Sequence, residues 1–155
     1  MKYVKVRDVK SPIRANINDS WIDFFIPEGE KISILAGDNV KIPLGVKILL
    51  DEWNDFTFVN KSGIASKTWL ITGACLVDNG YRWELVLNLI NTSKFQVDLM
   101  PWQKIIQWVI RKVNCPIPEE IDNDEYIADT ISEEGRWEGW FWSTGLFSKE
   151  KKWKK

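Results

Sequence analysis

Apolar and polar residues alternate along most of this chain with period two rather than 3.6. The segments VKIPLGVKILL (40–50), FTFV (56–59), LVLNLI (85–90) and FQVDLM (95–100) carry the pattern. Such alternation puts one face of a segment in a core and the other in water, which is the behaviour of a strand. Between these segments lie AGDN, DEWND and NTSK, turn-forming clusters at the spacing of a sandwich or barrel. KIIQWVIRKV (104–113) admits a helical reading, but its β-branched residues and the Cys-Pro-Ile-Pro after it favour a strand that ends at the prolines. No long amphipathic helix is predicted, so the expected fold is all-β.

After Pro118 the pattern stops. EEIDNDEYIADTISEEG is acidic and almost without apolar spacing, which predicts a loop or extended connector. The expected organisation is one domain, with a β-barrel over 1–118 and a connector plus C-terminal arm over 119–155 that belong to it. A chain of 155 residues and 18.1 kDa is long enough for one real core and short for two.

Composition removes several chemistries. The net charge of −1 and pI near 5.6 give no drive toward nucleic acid or an anionic membrane; the basic tail SKEKKWKK reads as a solvated end. The opening MKYVKVRDVK has no apolar run and is expected to be neither secretion signal nor anchor. No segment approaches the roughly 18 apolar residues of a membrane span, so a cytoplasmic location is expected. With 2 cysteines and 0 histidines, a disulfide scaffold, a zinc site and histidine acid–base chemistry all fall away. Catalysis is left to carboxylates, Lys, Tyr, hydroxyls, or a hard metal such as Mg²⁺ held by oxygens.

The polar islands between the strands have an order of their own. DSWIDFFIP (19–27), NKSGIASK (60–67), LVDNGYRWEL (76–85), PWQKIIQ (101–107) and RWEGWFWSTG (136–145) resemble, in sequence, the five motifs of the trimeric deoxyuridine triphosphatases (dUTPases). Those motifs read small-Gly-x-Asp, Arg-Ser-Ser/Gly-Leu-Ala, Ile-Asp-x-x-Tyr-x-Gly-Glu, Gly-x-x-Ile-x-Gln and Arg-Gly-x-Gly-Gly-Phe-Gly-Ser-Thr-Gly. Five motifs in the right order are far more specific than any one of them.

The resemblance implies a dUTPase-like jelly-roll barrel of the β-clip type, a homotrimer with shared active sites, and Mg²⁺-assisted hydrolysis of dUTP to dUMP and pyrophosphate. It makes Asp78 the general base that orients water toward the α-phosphate, and Tyr81 the ring that leaves no room for a 2′-hydroxyl. Uracil itself is read mainly by backbone groups of the hairpin around residues 78–84. Lys61, Ser62, Gly63 and Gln107 would contact the phosphate chain and the catalytic water, Lys61 standing where the family has arginine. Arg136, Ser143 and Thr144 would clamp the γ-phosphate, and Phe141 would close over the base. Asp23 would hold metal-bound water. Taken alone, each residue has a plainer reading: Asp78 and Asp23 as turn or strand-end aspartates, Lys61 as a surface lysine, Tyr81 and Phe141 as strand aromatics. Two other functions remain open at this point. One is a binding or regulatory module of the same fold, stacking single-stranded nucleic acid or sugars on its tryptophans; the other is a dCTP deaminase-like relative, which the Asp78–Tyr81 and Arg136–Gly145 patterns fit less well.

The departures from the motifs are systematic. Trp21, Trp83, Trp102, Trp137, Trp140 and Trp142 stand where the motifs carry glycine, and Trp53 and Trp69 stand at further glycine-like positions. Glycine at such places supplies positive φ or lets backbone amides approach a phosphate, and a side chain in the left-handed region costs roughly 1–2 kcal/mol. The chain has 10 Trp and 9 Gly. A gene from a lineage that reads UGA as glycine, translated by the table that reads UGA as tryptophan, prints this pattern. In that reading every tryptophan is a candidate glycine and the fifth motif is RGEGGFGSTG.

Overall fold

The computed structural model describes residues 1–29 and 31–124. The fifth motif, with Arg136, Phe141, Ser143 and Thr144, lies outside these residues, as does Trp153. The chain divides into the units Met1–Cys115 and Pro116–Lys155, and the described residues of the second carry no strand.

The first unit is all-β apart from one short helix. Its strands are β1 (Lys2–Lys5), β2 (Ile22–Phe25), β3 (Ile32–Ile34), β4 (Asn39–Pro43), β5 (Val46–Leu49), β6 (Asn54–Asn60), β7 (Leu70–Thr72), β8 (Leu76–Val77), β9 (Val86–Asn91), β10 (Val97–Leu99) and β11 (Lys104–Lys112), with α1 (Ser62–Thr68) between β6 and β7. They form four antiparallel sheets: β1-β5, β10-β3, β2-β11-β6-β8 and β4-β9-β7. Each long alternating segment becomes strand. The run 40–50 becomes two, because Gly45, at φ +72°, bends the chain between β4 and β5 where an added Cβ would strike Val9. KIIQWVIRKV folds as β11, which pairs with β2 on one side and β6 on the other. No helix among the described residues is long and apolar enough to cross a membrane.

The helix α1 has no counterpart in the apolar pattern, and the reason is local. It buries none of its residues and has no side-chain cap, so neither a 3.6-residue stripe nor a capping residue announces it.

The inward faces of β2, β6 and β11 make an aromatic core. Trp108, fully buried, meets Phe24 and Phe56 edge to face at centroid distances of 4.7 and 4.5 Å, and Phe58 closes the group. Edge-to-face pairs of this kind add about 0.5–1.5 kcal/mol each beyond the apolar area they bury. Trp108 is therefore a core residue, and the reading that makes every tryptophan a candidate glycine is corrected here. Glycine at 108 would leave a cavity the size of an indole among three phenylalanines.

Three other tryptophans behave in the opposite way. Among the described residues, the non-glycine positions with positive φ are Trp53 (60°), Trp69 (57°) and Trp102 (65°). Trp69 ends α1 in the left-handed conformation, its N–H donating to the Ala65 carbonyl, the place where helices most often take glycine. Trp102 follows Pro101 in a turn closed by the Gln103 N–H on the Met100 carbonyl. Proline followed by a positive-φ residue is the type II turn, which calls for glycine at that second position. Trp53 occupies the turn before β6 with its side chain well exposed. Trp21 and Trp83 are exposed too, without positive φ.

Candidate active site

The first, second and fourth motifs meet on one face of the β2-β11-β6 sheet. Asp23 on β2 lies directly opposite Gln107 on β11, and partners in register point to the same face. The Asp23 carboxylate is almost completely buried. Oδ1 accepts from Lys61 Nζ at 3.0 Å and Oδ2 from Lys104 Nζ at 2.9 Å. Burial pushes the Asp23 carboxyl up, but hydrogen bonds from Lys104 and Lys61, together with their charges, outweigh it and hold the group below its ordinary value. Lys61 itself sits just before α1, its carbonyl accepting from the Ile64 and Ala65 N–H groups. Ser62 and Gly63 open the helix, and the space in front of Gly63 is free: a Cβ there would meet nothing within 4 Å.

Lys104 is the residue that the motif pattern passes over. Strict alternation would place it and Gln107 on opposite faces of β11. The register shifts between Lys104 and Ile106, and this bulge turns Lys104 onto the Asp23 side while Ile105 and Ile106 are both buried. Its ammonium also lies 5.9 Å from the Phe25 ring centroid. No signal within residues 101–107 marks the bulge; the pairing with β2 creates it.

The third motif folds as a tight turn after β8. The Tyr81 N–H donates to the Asp78 carbonyl, and the Tyr81 hydroxyl donates to the Glu84 carbonyl at 2.8 Å. Asp78 is exposed, while the Tyr81 ring packs against the core and meets Trp83 edge-on. Glu84 anchors the base of this turn. Its carboxylate accepts both from Arg7, at 2.6 and 3.1 Å, and from the Gly45 N–H at 2.9 Å. The Arg7 hydrogen bond is the largest influence on Glu84 and outweighs burial, holding its carboxyl below the ordinary range. Neither Arg7 nor Glu84 is assigned a role by the motif resemblance, and nothing in the sequence around Arg7 hints that it returns to this turn.

The two groups do not meet within one copy of the chain. Val77, next to Asp78, pairs with Phe56 at the start of β6, whereas Lys61 follows its end. At a strand rise of about 3.3 Å per residue, Phe56 and Lys61 stand roughly 16 Å apart. As for a metal, the described residues include no group of three or more Cys, Asp and Glu side chains able to hold an ion. Asp23, which the resemblance assigns to metal-bound water, does not fit that task well, because both its oxygens face ammonium groups that repel a cation.

Ordered motifs and this fold have clear relatives. The chain is 31% identical over 140 residues to the deoxyuridine 5′-triphosphate nucleotidohydrolase of Desulfitobacterium hafniense strain DSM 10664 / DCB-2, covering 88% of each chain. It is 30% identical over 140 residues to that of Rickettsia bellii strain OSU 85-389, with 89% of each covered. The chain belongs to the dUTPase family. No family model matches it. Among solved structures, a mutant dUTPase of Staphylococcus bacteriophage 80alpha with dUpNHpp superposes with a TM-score of 0.81 at 20% identity, over 94% of this chain and 98% of that one. A mutant dUTPase of phage phi11 of S. aureus, described with a structural Mg(II) ion, gives 0.73 at 18% identity over 80% and 97%. The all-β expectation is therefore met by the dUTPase fold itself.

Proposed function

We propose that this chain hydrolyses dUTP to dUMP and pyrophosphate as a homotrimer in which each active site is assembled from more than one copy. The observation that carries this reading is the separation of the motifs within one copy. All five dUTPase motifs are present in order, yet Asp78 and Tyr81 lie at the opposite end of β6 from Asp23, Lys61 and Gln107. A neighbouring copy brings the two groups together.

In the assembled site the exposed Asp78 carboxylate accepts a proton from water as that water attacks the α-phosphate in line, and pyrophosphate leaves. Tyr81, with its ring braced on the core and its hydroxyl tied to the Glu84 carbonyl, forms a rigid wall against which a 2′-hydroxyl has no room. Lys61, Ser62, Gly63 and Gln107 line the phosphate path, and Arg136, Ser143 and Thr144 take the γ-phosphate in the forked geometry that suits arginine. Phe141 covers the base by stacking. Mg²⁺ would serve as the counter-ion of the triphosphate and would neutralise its charge, relying on substrate and water more than on side chains of this protein.

The test is turnover of dUTP beside UTP, dCTP and dTTP, followed by the Asp78→Asn variant. Preference for dUTP is expected. The variant should bind dUMP but lose on the order of 10²–10⁴ in rate, the range for a positioned general base. Near-normal turnover in Asp78→Asn removes that residue from its role, and a solution mass of one or two chains sinks the shared site.

A further inference from the structure

We infer that Asp23 is a positioning residue acting through two lysines, and that Lys104 is a second phosphate-binding cation beside Lys61. This rests on the site assignment above and gives Asp23 a task different from holding metal-bound water. One buried carboxylate takes one ammonium on each oxygen, at 3.0 and 2.9 Å, with the two lysine side chains reaching it from different strand ends. Two ammonium groups so close would repel one another without the carboxylate between them. With it, they are held side by side, and both remain partly open, at 27% and 40% side-chain exposure against 2% for Asp23. The cluster keeps one net positive charge and several N–H donors for a ligand. The Phe25 ring near the Lys104 ammonium narrows its range further. Gln107 lies on the same face, opposite Asp23.

A buried ion pair is a weak source of stability, because desolvation offsets most of the attraction. A buried carboxylate that aims two half-exposed cations in one direction has a clearer use as a cradle for an anion with several oxygens. The chemistry that matches is a polyphosphate chain, with each lysine donating to a different phosphoryl group. Lysine makes point contacts where arginine would make forks, so two aimed lysines supply together what one forked side chain does elsewhere.

The experiment measures binding of inorganic tripolyphosphate to the full chain by calorimetry without Mg²⁺, so that neither base recognition nor the metal enters. Lys104→Met should weaken binding roughly tenfold to a hundredfold, the loss of one charge-assisted hydrogen bond, and Lys104→Arg should restore most of it. Asp23→Asn is the sharper variant. It makes the protein more positive, so attraction counted by charge alone predicts tighter binding, whereas loss of positioning predicts binding weaker by roughly tenfold, the worth of about one such hydrogen bond. Melting curves report folding; if Asp23→Asn does not fold, the Lys104→Met and Lys104→Arg pair decides. Absence of tripolyphosphate binding in the unaltered chain, unchanged binding in Lys104→Met, or tighter binding in a folded Asp23→Asn each overturns the inference. Failure of the chain to prefer dUTP with tripolyphosphate binding intact would instead count against the proposed function alone.

Discussion

Trp102 and Trp108 stand on either side of the β11 bulge, and the fold uses them in opposite ways. Trp108 is an aromatic that fills the core: fully buried, edge-on to Phe24 and Phe56, with its indole N–H left without a partner among the described residues. Trp102 occupies the second turn position after Pro101 at φ 65°, where only the backbone conformation matters and the Cβ is a burden. Trp53 and Trp69 side with Trp102, in a turn and at a helix end. One residue type thus fills two unrelated roles, and only one of them suits tryptophan. Among Trp53, Trp69, Trp102 and Trp108 the division follows backbone dihedral and burial, which is what substitution of glycine codons at the first three and an authentic tryptophan at the fourth would produce.

The largest expected consequence is on activity. A chain with glycine at 21, 53, 69, 83, 102, 137, 140 and 142, and tryptophan kept at 108, should hydrolyse dUTP at least on the order of 10²-fold faster than the chain with tryptophan at all of them. Misplacement of catalytic groups by about 1 Å already costs that much. A faster all-tryptophan enzyme would end the assignment of these positions to glycine.

Trp108→Gly in that same background is expected to cost about 3–5 kcal/mol, the range for truncating a large buried aromatic, a large share of the roughly 5–15 kcal/mol that holds a domain together. Denaturant titration reads it as a lowered midpoint. An unchanged midpoint would put Trp108 with the others.

At the left-handed positions the sign reverses. Trp53→Gly, Trp69→Gly and Trp102→Gly should each raise stability by up to about 1.5 kcal/mol. Relief of the left-handed Cβ contributes roughly 1–2 kcal/mol, and the greater freedom of glycine in the unfolded chain removes roughly 0.5–1. Alanine at the same sites should not show the gain, since it keeps the Cβ; equal gains for alanine and glycine would mean that the indole, not the dihedral, is the problem.

The last test perturbs nothing. The gene is expected to read UGA at codons 53, 69 and 102 and UGG at codon 108. A single codon type across all four would erase the distinction.

The strand pattern was legible because alternation is local: FTFV and LVLNLI show which residues face inward before anything is known of their partners. The family was legible for a similar reason, since motifs such as those at Ser62–Gly63 and Asp78–Tyr81 carry their spacing with them. Helix α1 was not, because only Ile64 packs against the core and none of its residues is fully buried, which leaves no stripe. Lys104 was not, because the bulge that turns it toward Asp23 exists only where β11 pairs with β2. The role of Trp108 was hidden as well: the letter is the same at 102 and 108, and only packing separates them.

By itself the sequence determined the all-β class, the strands of the alternating runs, the order of the five motifs and the left-handed positions 53, 69 and 102, all of which depend on near neighbours along the chain. Tertiary structure decided which carboxylate holds which ammonium, which tryptophan belongs to the core, and that Asp78 follows a strand paired with the start of β6 whereas Lys61 follows its end. Those outcomes depend on β11 lying between β2 and β6, a pairing of segments far apart in sequence whose register no local pattern specifies.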